Sequence, residues 1–231
     1  MPFEIIKVGN KYKVCKRENP SECYSKKGIP KQNAVKQLRA IGMHMGFKGG
    51  AAAGSVLDGI EHNSISDVEI KKYLPSARII TYPELEDYSD IEQLLPTVGS
   101  YFILLYLDSP DTGHWTCLKR TKEGINYFCS YGTFPDGQLK WYGEELREKL
   151  NEDEPYLTKL LKKTQLKVFY NDIDYQNKNN LDIVTCGRHV INFLKSGKNL
   201  KQYFKVMEKL KKGGNKSYDD IVSEKIDLVL D

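Results

Sequence analysis

The chain has 231 residues, of which 40% are hydrophobic and 29% are charged, and its formal net charge is +4. This length suffices to bury a substantial core in one large domain, or in a domain with a small appendage. No apolar run approaches the roughly 20 residues that span a bilayer, and the N-terminus lacks the pattern of a secretory signal. The composition therefore argues against a membrane-spanning or secreted protein and predicts a soluble, intracellular globular one.

Five cysteines stand at positions 15, 23, 117, 129 and 186, an odd number without the spacing of a disulfide framework. We interpret all five as reduced thiols of an intracellular protein. Cys15 and Cys23 are eight residues apart, and no second pair nearby completes the ligand set of a zinc site. Neither a metal nor an organic cofactor is predicted.

Residues 1–50 are predicted to form a small N-terminal module. Alternating apolar residues in 3–8 and 12–15, on either side of Gly9-Asn10, indicate a β-hairpin. Pro30 opens a predicted helix over 31–45. The glycine- and alanine-rich stretch that follows is predicted to be a linker, assigned to 51–65, and residues 66–231 are assigned to the main domain.

Helical and strand patterns alternate in the main domain. Ser66 has the spacing of a helix N-cap, and a short helix is predicted to end near residue 74. A run that is apolar on both faces, 101–107, predicts a strand inside a sheet. Further strands are predicted at 77–82, 114–118, 124–129 and 166–170. Helical segments are predicted over 83–95, 143–163, 186–197 and 200–210, and the lysine-rich tail from Lys211 is expected to be peripheral.

The stretch Thr185-Cys186-Gly187-Arg188-His189 separates a polar run over 171–182 from apolar residues with helical spacing at 190–194. Unpaired N–H groups and the helix dipole favour a thiolate at a helix N-terminus. Cys186 is therefore the candidate nucleophile.

A thiol nucleophile needs a base, and histidine titrates near neutral pH without heavy tuning. His114 stands at a predicted junction between a turn and a strand, and Trp115 beside it can wall a groove against water. His189 lies three residues after Cys186 on the same predicted helix. A base there would crowd the thiolate, so we prefer a local packing role for His189 and choose His114 as the base.

The oxyanion formed by thiolate attack needs hydrogen-bond donors that are already in place. The backbone N–H of Cys186 and a side-chain amide are the expected donors. We choose Gln176, ten residues before Cys186 in the polar loop. The spacing does not exclude three competing amides, which are Asn177, Asn179 and Asn180.

Four short pieces of sequence stand in an informative order, with a histidine first and a cysteine last. They are Gly113-His114-Trp115, Phe128-Cys129-Ser130-Tyr131-Gly132 with Pro135-Asp136, Tyr175-Gln176, and Thr185-Cys186-Gly187-Arg188. Together they resemble adenain-type cysteine proteases, the clan of the adenovirus and SUMO proteases. The similarity covers residues 66–200 and is closest to the branch found in virophages, giant DNA viruses and Polinton-type elements.

The resemblance implies an adenain-like α+β fold, with a central mixed sheet flanked by helices and the nucleophile at a helix N-terminus. It implies Cys186 as nucleophile, His114 as base and Gln176 as oxyanion donor. The third triad position, an acidic residue in the family, is occupied by Cys129, which departs from the family pattern. Three interpretations follow. A Cys–His dyad suffices, Asp136 or Asn126 orients His114, or the protein is weakly active or inactive.

The resemblance also implies a monomeric viral endopeptidase that cleaves capsid or core precursor proteins during virion maturation. Such an enzyme acts in the host cytoplasm or viral factory and is packaged in the virion. A deubiquitinating or SUMO-type isopeptidase is the alternative enzyme. A binding module that keeps the groove without catalysis is the alternative from another class. DNA as an activator or guide agrees with basic clusters at Lys26-Lys27, at Lys162-Lys163, and at Lys209, Lys211 and Lys212.

Overall fold

The computed structural model describes residues 3–16, 19–24, 27–30, 34, 37, 64–108, 113–177, 180 and 183–226. Ala34 and Gln37 are helical, and the rest of the predicted helix over 31–45 lies outside these residues. The predicted linker also lies outside them, apart from its last two residues. None of the helices in the described ranges is both long and apolar enough to cross a membrane.

The N-terminal residues form the predicted hairpin. Strands β1 (Phe3–Val8) and β2 (Lys11–Lys16) pair antiparallel, and Gly9 turns the chain with φ of 63°. The interpretation of all five cysteines as reduced thiols is wrong for two of them, because Cys15 and Cys23 form a disulfide. A turn in which the N–H of Glu22 donates to the carbonyl of Asn19 brings Cys23 back opposite Cys15.

The main domain begins with a short helix, α1, over Asp67–Tyr73, whose predicted N-cap is confirmed by a capping box between Ser66 and Glu69. The strands that follow are β3 (Arg78–Thr81), β4 (Tyr101–Leu107), β5 (Gly113–Thr121), β6 (Gly124–Cys129) and β7 (Val168–Tyr170). The remaining α-helices are α2 (Glu144–Lys149), α3 (Tyr156–Lys163), α4 (Cys186–Lys195), α5 (Leu200–Gly214) and α6 (Tyr218–Lys225).

The five strands form one mixed sheet in the order β3-β4-β5-β6-β7. The outer pairs, β3 with β4 and β6 with β7, are parallel, whereas the inner pairs are antiparallel. The predicted α+β class, with a mixed sheet flanked by helices, is confirmed at that level. Strand β4 lies inside the sheet, as its apolar run predicts.

Both faces of the sheet are covered, because neighbouring residues of a strand point to opposite faces. On one face Ile103 and Leu105 of β4 join the core that includes α4, α5 and α6. On the other face Phe102 and Leu104 join a core that includes α3 and the segment after β3. The sheet is therefore the middle layer, and the helix that starts at Cys186 packs on one side of it.

Two predicted helical segments are interrupted. The segment predicted over 83–95 consists of two short 3₁₀ helices, Tyr82–Asp87 and Ile91–Gln93, because Asp90 caps the second one and Tyr88 is extended. The segment predicted over 143–163 is divided into α2 and α3 by Asn151, whose φ is 53°.

The expectation that the chain from Lys211 is peripheral is wrong. Helix α5 continues to Gly214, and α6 packs against α4. Ile221 and Val222 of α6 belong to the same buried core as α4. The tail therefore completes one face of the domain.

Candidate functional site

Helix α4 begins at Cys186, as the sequence predicts, and the thiol-bearing residue is 6% exposed. The start of the helix lies very close to β5. A Cβ added to Gly187 would lie 1.9 Å from Ile65 Cγ2 and 3.2 Å from Trp115 Cδ1, so a side chain at 187 cannot be accommodated without movement. Trp115 Nε1 in turn donates to the Ile65 carbonyl at 2.9 Å. These contacts hold the N-terminus of α4 against the strand that carries His114.

His114 is the second residue of β5 and is 3% exposed. Its ring stacks on Tyr131 with centroids 4.6 Å apart, and Trp141 presents an edge-on contact at 5.7 Å. Tyr131 and Trp141 also contact each other. Two aromatic side chains therefore restrict the orientation of the imidazole, and the sequence predicted this role for neither of them.

Cys129 occupies the position beside the histidine that the resemblance assigns to the third triad member. His114 Nε2 lies 3.3 Å from Cys129 Sγ, within the range of a hydrogen bond to sulfur. Strand pairing explains this contact, because Cys129 lies opposite Thr116, which shares a face of β5 with His114. Gln138 Nε2 also donates to Cys129 Sγ at 3.3 Å.

The interpretation that Asp136 orients His114 is wrong. Its carboxylate accepts hydrogen bonds from the Tyr82 hydroxyl at 2.8 Å, the Tyr106 hydroxyl at 3.2 Å and the backbone N–H of Thr158 at 2.7 Å. Asp136 therefore ties the sheet to α3.

Asn126 does not orient His114 either. Its Oδ1 accepts from the N–H of Leu200, and its Nδ2 donates to Thr121 Oγ1. These contacts lie toward the opposite end of β6 from Cys129. Among the groups proposed from the sequence, only Cys129 lies at the histidine.

Gln176 is 1% exposed, and both ends of its amide have protein partners. Oε1 accepts from the Ser130 hydroxyl at 3.0 Å, and Nε2 donates to the carbonyl of Ile183 at 2.8 Å. An amide nitrogen carries two hydrogens, so one remains for a ligand. Asn177 and Asn180 are exposed residues, and Asn179 lies outside the described residues. The geometry therefore supports Gln176 over Asn177 and Asn180 as a rigidly held donor.

Tyr142 lies close to two other residues of the candidate site. Burial raises the pKa of Tyr142 well above its usual value, and charges on Asp108, Glu152, Tyr131 and Cys186 add to the rise. Tyr142 therefore lies near both the candidate thiolate and the tyrosine that stacks on His114.

The described ranges hold no group of three or more His, Cys, Asp or Glu side chains that could bind a metal ion.

His189 is fully buried, and one of its ring nitrogens lies beside a carboxylate. Its Nε2 lies 3.0 Å from Asp219 Oδ1. Asp219 belongs to α6, in the tail that was expected to be peripheral. A sequence signal for that helix exists, because Ser217 and Asp220 have capping-box spacing and form such a box.

Glu152 is a buried residue between α2 and α3, and its carboxyl accepts a hydrogen bond at 2.6 Å from the backbone N–H of Leu107, the last residue of β4. Loss of hydration is the main cause that raises its pKa to about 8; the Asp108 and Asp136 carboxylates add to this rise, and the Leu107 N–H and Arg147 oppose it. The folded protein thus holds a proton here that the unfolded chain releases near pH 4.5. Folding stability from this group is full below that pH and is lost as the pH rises toward 8.

Replacing Glu152 with Gln is therefore expected to change the pH dependence of stability. The variant and the wild type should have similar melting temperatures near pH 5, and the variant should be more stable near pH 9. A difference of 1 kcal/mol corresponds to roughly 2–4 °C for a domain of this size. Thermal melts monitored by circular dichroism would measure it, with exposed Glu148→Gln on α2 as the matched control. Equal melting temperatures at pH 9 would contradict the buried, proton-binding carboxyl.

No family model matches the chain, and no solved structure matches it. The chain is similar to "Uncharacterized protein V9" of Sputnik virophage, with 39% identity over 130 residues. The matched region covers 55% of this chain and 73% of the virophage protein. The chain therefore belongs to the same protein family as V9 of Sputnik virophage.

Proposed function

We propose that the chain is a cysteine endopeptidase of the adenain-like type that cleaves capsid or core precursor proteins during virion maturation. One observation carries the proposal. The helix that begins at Cys186 is packed against the start of β5, where His114 is held between two aromatic rings and the thiol of Cys129. The substrate class rests on the family resemblance and on the relationship to a virophage protein.

In the proposed reaction His114 accepts the proton of the Cys186 thiol, and the thiolate attacks the carbonyl carbon of the scissile peptide bond. The new carbon–sulfur bond places negative charge on the carbonyl oxygen. The backbone N–H of Cys186 and the second amide hydrogen of Gln176 donate to that oxygen.

The tetrahedral intermediate collapses when the carbon–nitrogen bond breaks, and the leaving amine takes the proton from His114. A thioester on Cys186 remains. His114 then removes a proton from water, which attacks the thioester and releases the carboxylic acid and the free thiol. Cys186 Sγ and His114 regain their starting protonation states.

The proposal assigns Cys129 a supporting role. If His114 Nε2–H donates to Cys129 Sγ, then Nδ1 is the nitrogen that accepts a proton. A thiol is a weaker acceptor than a carboxylate, but a cysteine nucleophile depends less on a strong base than a serine does. We therefore favour a Cys–His dyad aided by Cys129 over an inactive binding module.

Incubation of the purified wild-type protein with its capsid precursor tests the proposal. Iodoacetamide should modify Cys186 before Cys117 and Cys129, because both of the latter are fully buried and burial raises the pKa of the Cys117 thiol well above its usual value. Loss of precursor cleavage should parallel modification of Cys186, as measured by peptide mass spectrometry.

Full cleavage activity after complete modification of Cys186 would exclude it as the nucleophile. A fluorogenic ubiquitin or SUMO substrate distinguishes the alternative enzyme. Fast turnover of that substrate, together with an uncleaved precursor, would favour the isopeptidase. Failure to cleave either substrate, with Cys186 no more reactive than a free cysteine, would favour the binding module.

DNA is proposed as an activator, and a cleavage rate that is insensitive to salt and to added DNA would exclude this role.

A further inference from the structure

Asp219 is 1% exposed and joins three separate parts of the chain around the nucleophile helix. The Thr185 hydroxyl donates to its Oδ1. His189 Nε2 lies 3.0 Å from the same oxygen, and the backbone N–H of Asn177 donates to Oδ2 at 2.7 Å. One buried carboxylate therefore contacts the residue before Cys186, the residue one helical turn after it, and the residue next to Gln176.

The carboxylate is fixed by the helix that carries it. Neighbouring Ile221 and Val222 are buried in the core shared with α4, and the capping box of Ser217 and Asp220 defines the start of α6. A buried carboxylate is strongly destabilising unless donors satisfy it, so its three contacts are expected to hold together as a unit. The C-terminal helix thus limits how Thr185 and Asn177 can move.

We infer that Asp219 is a positioning residue that holds the Cys186 helix start and the Gln176 loop in their reactive arrangement. Thr185 precedes Cys186, so release of its hydroxyl would let the helix start shift relative to His114. Release of the Asn177 N–H would loosen the loop that carries the oxyanion donor. This inference rests on the proposed role of Cys186. It makes α6 necessary for the reactivity of Cys186.

The test is the alkylation rate of Cys186 by iodoacetamide as a function of pH, measured by mass spectrometry on the folded full chain. Asp219→Asn preserves shape but removes the charge and one acceptor oxygen. We expect its Cys186 alkylation rate near neutral pH to fall at least about tenfold, with the pH profile shifted upward, since a Cys186 thiol displaced from His114 is less readily ionised. In the cleavage assay kcat should fall, whereas KM should change by less than about twofold.

Asp220→Asn is the matched control. It removes the same charge one residue further along α6, where the carboxylate and the backbone N–H of Asp220 form the helix cap with Ser217. Its alkylation profile should match that of the wild type. A reduced rate in both variants, of similar size, would indicate a general charge effect and overturn the specific role of Asp219.

A second pair of variants covers the case in which Asp219→Asn does not fold. Thr185→Ser keeps the hydroxyl that donates to Asp219, and Thr185→Val removes it with little change of shape. We expect Cys186 in the Thr185→Ser variant to be alkylated at the wild-type rate. In the Thr185→Val variant the alkylation rate of Cys186 should fall. Wild-type reactivity in folded Asp219→Asn, or in folded Thr185→Val, would overturn the inference.

The alkylation readout does not depend on a protein substrate. If no precursor is cleaved but Asp219→Asn and Thr185→Val still lower the Cys186 rate, the positioning role stands and the proposed proteolysis fails. If precursors are cleaved normally by both variants, the proteolysis stands and the positioning role fails.

Discussion

Cleavage of the capsid precursor is expected to stop when Cys186 is replaced by Ala, and to fall by about 100- to 10,000-fold when His114 is replaced by Ala. The first change removes the only proposed nucleophile. The second removes a general base, whose contribution in enzymes is typically of that size. Both measurements require co-expression or mixing of the chain with its precursor and quantification of the cleaved product.

Cys117→Ala is the control for loss of a buried thiol, because Cys117 lies in the sheet core and has no role in the proposed reaction. It should cleave the precursor at a rate close to that of the wild type. Circular dichroism must show that all three variants are folded, since His114 packs on Tyr131 and Trp141. Normal cleavage by a folded Cys186→Ala or His114→Ala variant would disprove the Cys–His mechanism.

Gln176→Ala is expected to lower kcat by about 100- to 1,000-fold, the usual cost of losing one oxyanion donor. The change in KM should be small, because the donor acts mainly on charge that develops in the transition state. Steady-state kinetics on a peptide that spans the cleavage site would measure both constants.

Gln176 also connects Ser130 to Ile183, so its removal could instead disturb the loop before Cys186. Alkylation separates the two effects, because iodoacetamide reacts at an alkyl carbon and forms no oxyanion. An oxyanion donor predicts an unchanged Cys186 alkylation rate, whereas a loop effect predicts a lower one. Asn177→Ala is the matched control, since its contact to Asp219 is made by the backbone N–H. A normal kcat for folded Gln176→Ala would remove Gln176 from the mechanism.

Gln176→Ala and Asp219→Asn are therefore expected to differ in a diagnostic way. Loss of the oxyanion donor should reduce turnover alone, whereas loss of the positioning carboxylate should reduce both turnover and thiol reactivity. This difference separates a group that acts on the transition state from one that acts through the nucleophile.

Local features of the sequence determined the elements that carry the proposed site. The apolar run at β4, the cap at Ser66 and the start of α4 at Cys186 all follow from patterns that span a few residues. Side-chain chemistry also singled out Cys186, His114 and Gln176. Local patterns were less successful at the ends of elements, and the long segment predicted as helix after β3 is two 3₁₀ helices.

Contacts between distant residues were decided only by the tertiary structure. Cys129 reaches His114 because β5 and β6 pair in a particular register, and Asp136 is withdrawn from the site because two tyrosines and α3 bind its carboxylate. The pairing of Cys15 with Cys23 depends on a turn between them. Asp219 is separated from Thr185 by 34 positions, and its partners are set by the packing of α6 on α4. Such contacts depend on how elements pack together, which the spacing of residues along the chain does not encode.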